Sequence, residues 1–388
     1  METSKAKKGL PAFIGVASVW MGTHFGPGVA SGTQLNSYYV QYGIPGICVT
    51  VFAMALLAYA LYCSMEFSRI YKTYDYQSWV EKLFGFKWFV ILFDVSFAVT
   101  IITALGGSIN AVATLLANFL GLNYWIGVGL VVICGMLLCA FGAEIVRKAS
   151  SYMMFVVIGV LAIIMILVAI YGDADLGGAI ANQTANLPKV NWGKALWSAV
   201  IYACFQATTV ANIASVSDTL PDRAASKKAA ITGFIANSLL LIVLCFSLFS
   251  YTNVYDITGE ALPFYSMLER LGFNWLTAVY IIIVFIAVLS TVVGFSFAGV
   301  ARFGKYYQPK DTEKKSPVRD AAFVCVMLLC CAIASKVGIV KLVSTGYTIL
   351  GYLNLPIIVL PAIIIGGHKI SKKYLKANHI DAPGVDLD

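Results

Sequence analysis

The stretch Gly22-Thr-His-Phe-Gly-Pro-Gly-Val-Ala-Ser-Gly32 holds the densest set of side chains able to do chemistry in a chain otherwise poor in them. His24 brings a ring nitrogen pair, Thr23, Ser31 and Thr33 bring hydroxyls, and Gln34 brings an amide. Pro27 has no N–H and glycines crowd around it, so a regular helix is not expected to pass through. A broken helix presents N–H groups at the start of one half and carbonyls at the end of the other, which suits an anionic group and a small cation respectively. The expected chemistry is therefore recognition. The backbone of Gly26 and Gly28 should receive a carboxylate, with Thr23, His24, Asn110, Tyr202 and Gln206 lining the rest of a solute site. The plainer alternative is a Pro-kinked helix whose glycines only allow close packing.

These residues sit in a chain built for lipid. Of 388 residues, 60% are hydrophobic and 12% charged, with a mean hydropathy of +0.82. A soluble domain averages about half and about a quarter, so a soluble enzyme and a disordered chain are both excluded. Ten apolar stretches, near 11–38, 45–67, 88–118, 122–142, 149–171, 192–216, 227–251, 275–301, 319–337 and 341–366, each approach the roughly 20 residues needed to cross hydrocarbon. The first follows a basic N-terminus but outruns a signal-peptide core and shows no clear cleavage site, so it is expected to stay in the mature protein. The predicted class is an all-α integral membrane protein with a single membrane domain.

With the N-terminus in the cytoplasm, 22 of the 27 Lys and Arg residues fall on that side, the asymmetry of the positive-inside rule. The net charge of +8 is thus topological and no sign of nucleic-acid binding. Both termini are expected to be cytoplasmic. Ten spans divide into halves at 11–171 and 192–366, and an odd number per half inverts the second against the first, as in an inverted repeat.

Other positions read more quietly. Thr103, Gly106, Gly107, Ser108 and Asn110 form a small-residue patch suited to close helix approach. Gln206, Thr208 and Thr209 mark the sixth span without any glycine or proline; they suit either an unwound backbone, with a break expected near Tyr202 to Gln206, or hydrogen bonds to a neighbouring helix. Asp94 lies close to a membrane face, while Glu66 with Arg69 and Glu144 with Arg147 stand three apart at helix ends, where they can pair. Leu262-Pro263-Phe264 followed by Met267, Leu268 and Leu271 suggests a short amphipathic helix on the outer face. Ala287, Ser290 and Thr291 share one helical face. No zinc spacing, H-E-x-x-H or nucleotide-binding loop occurs. A membrane-embedded enzyme or a channel fits less well than a transporter.

The residues Gly22-Thr23, Gly26, Gly28, Ala30-Ser31-Gly32 and Gln34 resemble the YkvI-like family of bacterial membrane proteins, within the amino acid/polyamine/organocation superfamily of LeuT-fold transporters. The ten-span plan extends the likeness over nearly the whole chain. The resemblance implies a five-plus-five inverted repeat with broken first and sixth helices, alternating access, and a solute site at their unwound centres, but no substrate. The leading expectation is a secondary transporter for a small polar organic solute, an amino acid or related zwitterion. By the same resemblance, the carbonyls of Gly22, Phe25 and Ala287 and the hydroxyls of Ser290 and Thr291 correspond to a sodium site, with Na+ as coupling ion. Proton coupling is the competing mechanism. For it, some relatives in the superfamily place a lysine in the fifth span, and the stretch Ala149 to Tyr171 has none.

Overall fold

The computed structural model describes residues 11–140, 143–186, 191–308 and 316–385, with the side chains of residues 140–155 and 305 outside the description. Every regular element among them is helical. The pair Glu144 and Arg147 lies outside the described side chains.

The first apolar stretch divides into α1 (Ala12–His24), α2 (Pro27–Ala30) and α3 (Thr33–Tyr38). The cause is local. Phe25 N–H still reaches the Met21 carbonyl at 3.0 Å, but Gly26 N–H turns to the His24 carbonyl at 3.0 Å, and Pro27 has no hydrogen to give. Gly26 is extended (φ −81°, ψ 179°) and Gly32, between α2 and α3, takes a left-handed φ of 85°, where a side chain would be strained.

The chain continues through α4 (Ile44–Tyr71), α5 (Tyr76–Phe84), α6 (Phe89–Leu120), α7 (Tyr124–Ala140), α8 (Ala143–Tyr171) and α9 (Leu176–Asn186). Asp75 caps α5 by accepting from Ser78 N–H at 2.9 Å. Then come α10 (Trp192–Gln206), α11 (Val210–Ala214), α12 (Arg223–Phe249), α13 (Pro263–Leu271), α14 (Asn274–Tyr307) and α15 (Pro317–Ser335). The last long helix, α16 (Ile339–Lys369), carries π-turns at Leu342–Gly346, Leu355–Val359 and Ala362–Gly366, and α17 (Lys372–Ala377) follows it. Asn191 and Asp222 cap α10 and α12 through Lys194 N–H (2.9 Å) and Ala225 N–H (2.7 Å).

Seven of these helices are long and apolar enough to cross a membrane: α4, α6, α10 with α11, α12, α14, α15 and α16. The pair α8 and α9 passes the same test together but bends by 84°, and α7 is a shorter apolar helix. In the core, α12 packs along α4 and α1, α10 along α4 and α16, and α6 along α15. The small-residue patch on α6 does serve close packing, since a Cβ at Gly106 would lie 3.3 Å from Leu342 and 3.4 Å from the Cys331 carbonyl.

The sixth stretch departs from expectation. Its helix does not open at Tyr202 to Gln206; it runs through them and tightens into a 3-10 turn at Ala207–Thr209 before α11. The backbone stays in the right-handed helical region at Gln206 (φ −70°, ψ −15°) and Thr209 (φ −55°, ψ −21°). With no proline to withhold a donor and no glycine to leave that region, the chain has no local cause to unwind.

Candidate functional site

The break brings α1, α10 and α12 together through one buried histidine. His24, 1% exposed, ends α1 with both ring nitrogens engaged: Nδ1 lies 2.7 Å from Asn237 Oδ1 on α12 and Nε2 lies 2.9 Å from Tyr202 OH on α10. One turn before it, Trp20 lies across Gly233, where a Cβ would collide with its indole ring. Tyr202 is enclosed by rings, with Tyr39 at 4.8 Å, Phe205 at 4.9 Å and Tyr38 at 5.5 Å between centroids. Phe205 stacks in turn on Tyr347 of α16 at 4.6 Å.

Around the turn, Gln34 folds its amide against Gly28, where any Cβ would collide with it, and its Oε1 is buried without a partner. Gly26 by contrast has no atom within 4 Å of the place a Cβ would occupy. The break also frees acceptors. A continuous helix would give the Gly22 carbonyl the Gly26 N–H and the Phe25 carbonyl the Val29 N–H, but these donors go to the His24 and Gly26 carbonyls, each at 3.0 Å. Freed carbonyls at membrane depth are costly unless something meets them.

The end of the break at α2 and α3 is roofed by the segment before and within α13. Thr33 Oγ1 donates to the Ala261 carbonyl at 2.7 Å, Asn36 Nδ2 to the Ile257 carbonyl at 2.6 Å, and Phe264 N–H to the Ser31 carbonyl at 3.2 Å. In this segment Asp256 accepts from Thr258 Oγ1 at 2.7 Å, which holds its carboxyl below the usual carboxylate range, with help from the Gly259 N–H. Tyr280 of α14 donates to the Ala30 carbonyl at 3.1 Å and so ties α14 to α2. A cavity of about 540 Å³ opens beside Tyr38, Tyr42, Trp197, Thr348 and Tyr352. Tyr38 therefore touches both this cavity and Tyr202.

Several expected site residues stand elsewhere. Thr23 is exposed and turns its hydroxyl back to the Val19 and Trp20 carbonyls, both at 3.0 Å. Asn110 is spent on the α15–α16 corner: its Nδ2 donates to the Ser335 carbonyl (2.9 Å) and Tyr124 OH (3.0 Å), and its Oδ1 accepts from Ile339 N–H (3.0 Å). Gln206, buried at the end of α10 one turn beyond Tyr202, does reach the site, where its side chain bonds the Tyr202 hydroxyl. Ala287 is buried on α14, Ser290 and Thr291 are half-buried, and Thr291 Oγ1 donates to the Ala287 carbonyl at 2.9 Å. Asn237 was not singled out from the sequence. A lone amide inside the apolar run 229–249 is the signal that could have found it. Asn354 was also missed, and its Nδ2 reaches the Phe205 carbonyl at 3.5 Å beside the tightened turn.

The buried ion pairs lie at the end where the basic residues gather, while the Arg270–Asp173 pair at the opposite end is exposed. Glu66, fully buried, accepts from Arg69 Nη2 at 2.7 Å, Arg223 Nε at 2.9 Å and Ser226 Oγ at 3.0 Å. Those arginines also hold the Pro383 and Ile370 carbonyls, at 2.6 and 2.5 Å. Asp94 pairs with Arg302 and accepts from Tyr76 OH at 2.7 Å, with Arg302 stacked 4.3 Å over the Tyr76 ring. Among the described residues no group of three His, Cys, Asp or Glu side chains is placed to hold a metal ion.

A helical bundle with an interrupted first span and polar groups buried around it is the LeuT fold of membrane transporters, and solved structures bear this out. The chain matches a Na+-coupled sialic acid symporter in its substrate-bound outward-open state (TM-score 0.61, 13% identity, 97% of this chain and 92% of that one). It also matches a variant of the manganese transporter of Eremococcus coleocola (TM-score 0.65, 13% identity, 97% and 85%). A third match is Mhp1, a nucleobase-cation-symport-1 family transporter closed around bromovinylhydantoin (TM-score 0.52, 15% identity, 98% and 82%). A profile of amino acid permeases covers residues 12–303, and the chain belongs to that family. It is also 24% identical over 362 residues to the uncharacterized membrane protein YkvI of Bacillus subtilis (strain 168), covering 92% of this chain and 96% of that protein. The protein is a multi-pass membrane transporter.

Proposed function

We propose that this transporter carries a small polar organic solute, an amino acid or related zwitterion, by alternating access with sodium as the coupling ion. The observation that supports it most is the opened turn at Phe25–Gly26, where backbone acceptors lose their helical donors beside open space at Gly26. We take α1–α3 as one crossing, α7 as another and α8 as a third, which with the seven long apolar helices makes ten. Both termini then lie on the basic, cytoplasmic side. In that orientation the cavity beside Tyr38 opens outward and is the approach to the break.

For sodium, the freed carbonyls of Gly22 and Phe25 are the hard oxygen donors such an ion needs. Ala287, Ser290 and Thr291 would complete the set from α14, which Tyr280 already ties to the break. Bound there, sodium would supply a positive charge to an otherwise neutral centre. A proton carrier is harder to find: Glu66 and Asp94 are committed to arginines, and His24 has both nitrogens engaged.

A thermal-shift screen of amino acids and related zwitterions on the purified protein, run with and without sodium, tests solute and ion together. Stabilisation by such a solute that deepens with sodium is expected. Stabilisation only by solutes lacking a carboxylate, or without regard to sodium, removes the reading. Reporter fusions at Lys8 and Lys373 should give the same cytoplasmic response, and opposite responses mean an odd error in the span count.

A further inference from the structure

We infer that the hydrogen bonds from α12 through His24 to Tyr202 form a relay of fixed direction. Asn237 sets that direction, and the Tyr202 oxygen is left to accept from a donor on the solute, such as an ammonium group. The inference rests on the amino-acid-like solute proposed above. It starts from a backbone carbonyl, which can only accept. Asn237 Nδ2 donates to the Gly233 carbonyl at 2.8 Å. That leaves Asn237 Oδ1, also an acceptor, 2.7 Å from His24 Nδ1. Nδ1 must carry the hydrogen. A neutral imidazole has one N–H, so Nε2 is the lone pair that takes the hydrogen of Tyr202 OH, 2.9 Å away. The one hydroxyl hydrogen of Tyr202 is thus committed inward, and its oxygen keeps two lone pairs, one met by the Gln206 side chain and one open to a further donor.

With a neutral ring, each reversal of this order sets two acceptors against each other. The other neutral tautomer would place the Nδ1 lone pair against Asn237 Oδ1. Turning the Asn237 amide over to suit it would place Oδ1 against the Gly233 carbonyl instead. A cationic ring would reverse the last bond, but no acidic side chain bonds to the trio to support it. Packing fixes the register. Trp20 sits one turn before His24 and its indole fills the space beside Gly233, one turn before Asn237, so α1 and α12 meet at two matched points. All three side chains of the relay are at most 1% exposed. His24 accordingly positions Tyr202 and does not itself touch the solute, and Asn237 is a positioning residue one step further back.

Nitrogen-15 NMR of histidine-labelled protein in lipid nanodiscs reads the relay without any solute. The chain has three histidines, His24, His368 and His379, and His24→Ala assigns the signal. The expected wild-type spectrum at neutral pH shows His24 protonated at Nδ1, with Nε2 shifted as a hydrogen-bonded acceptor. Asn237→Ala should move the proton wholly or partly to Nε2. If that variant does not fold, Tyr202→Phe should keep Nδ1–H while Nε2 moves to the position of an unbonded lone pair. A wild-type ring protonated at Nε2 or at both nitrogens overturns the relay, as does an Nδ1–H unmoved in Asn237→Ala or an Nε2 signal unmoved in Tyr202→Phe. As a second arm, L-amino acids and the matching carboxylic acids without the amine serve as thermal-shift probes. Stabilisation by the amino acids alone, lost at least tenfold in apparent affinity in Tyr202→Phe, is expected. Equal stabilisation by the des-amino acids, or affinity unchanged in Tyr202→Phe, overturns the role of the Tyr202 oxygen. If neither set stabilises the protein, the amino-acid reading falls with the role that rests on it, and the NMR result alone decides the relay.

Discussion

Two of the places where polar groups are buried, the break and the basic end, are handled differently. Around the break they carry no formal charge and meet one another singly, as His24 does with Asn237 and Tyr202. At the basic end they are ions held from several sides, with Glu66 between Arg69, Arg223 and Ser226, and Asp94 between Arg302 and Tyr76. A neutral hydrogen bond contributes about 1 kcal/mol net and can be traded for one of equal kind from a solute. A buried ion cannot lose its partner without being left uncompensated. The centre can therefore exchange partners, while the basic end clamps. Under the proposed cycle that end must part for the solute to reach the cytoplasm, so the ion pairs are what hold the state seen here, in which the arginines also grip the Ile370 and Pro383 carbonyls.

If this contrast is right, its largest effect comes from Glu66→Gln. Two arginines would then face a neutral amide in a fully buried position, and a loss of about 3–5 kcal/mol is expected, read as a lower melting temperature of the purified protein. Asp94→Asn should act in the same direction but less, because the Asp94 side chain is 12% exposed against 0% for Glu66, and water screens what remains. A larger loss at Asp94 than at Glu66 would reverse the ranking by burial.

His24→Ala probes the neutral side. It strands Asn237 Oδ1 and the Tyr202 hydroxyl, groups whose desolvation costs about 1–3 kcal/mol when unmet. The melting temperature should fall by less than in Glu66→Gln. A fall as large would mean that the centre is as rigidly clamped as the basic end.

The two regions were also unequally legible in the sequence. The break announced itself because Pro27 withholds a donor and Gly26 and Gly32 permit the backbone that follows, all of it written within a few residues. The Glu66–Arg69 pair followed from a spacing of three on one helix. What escaped was long-range. His24 and Asn237 are 213 positions apart, and a lone amide in an apolar run, which also bonds within its own helix, does not say which distant side chain it meets. Asn110 looked like a cavity residue until the corner at Ser335 and Ile339 was seen to use all it has. The sixth span was misjudged for the opposite reason: polarity at Gln206 to Thr209 was read as unwinding, although the backbone had no residue that would unwind it.

The smallest effect on stability, and the sharpest on function, is expected at Ser290 and Thr291. Thr291 spends its hydroxyl on the Ala287 carbonyl of its own helix, at 2.9 Å, a bond that adds little to an already formed helix. Replacing both residues by Ala should shift stability by less than about 1 kcal/mol. The same change removes both hydroxyls from the five proposed oxygens and leaves only carbonyls, so sodium-dependent solute binding should disappear while the protein melts almost as before. That separation of stability from ion dependence is what distinguishes an exchangeable centre from a clamp. Vesicle uptake decides whether sodium is the ion. Should the wild type take up solute equally fast with choline in place of sodium and follow an imposed pH gradient, the assignment to α14 fails. The coupling charge would then have to enter the neutral centre as a proton, and His24 is the group there whose ring could receive it, at the price of reversing its bond to Tyr202.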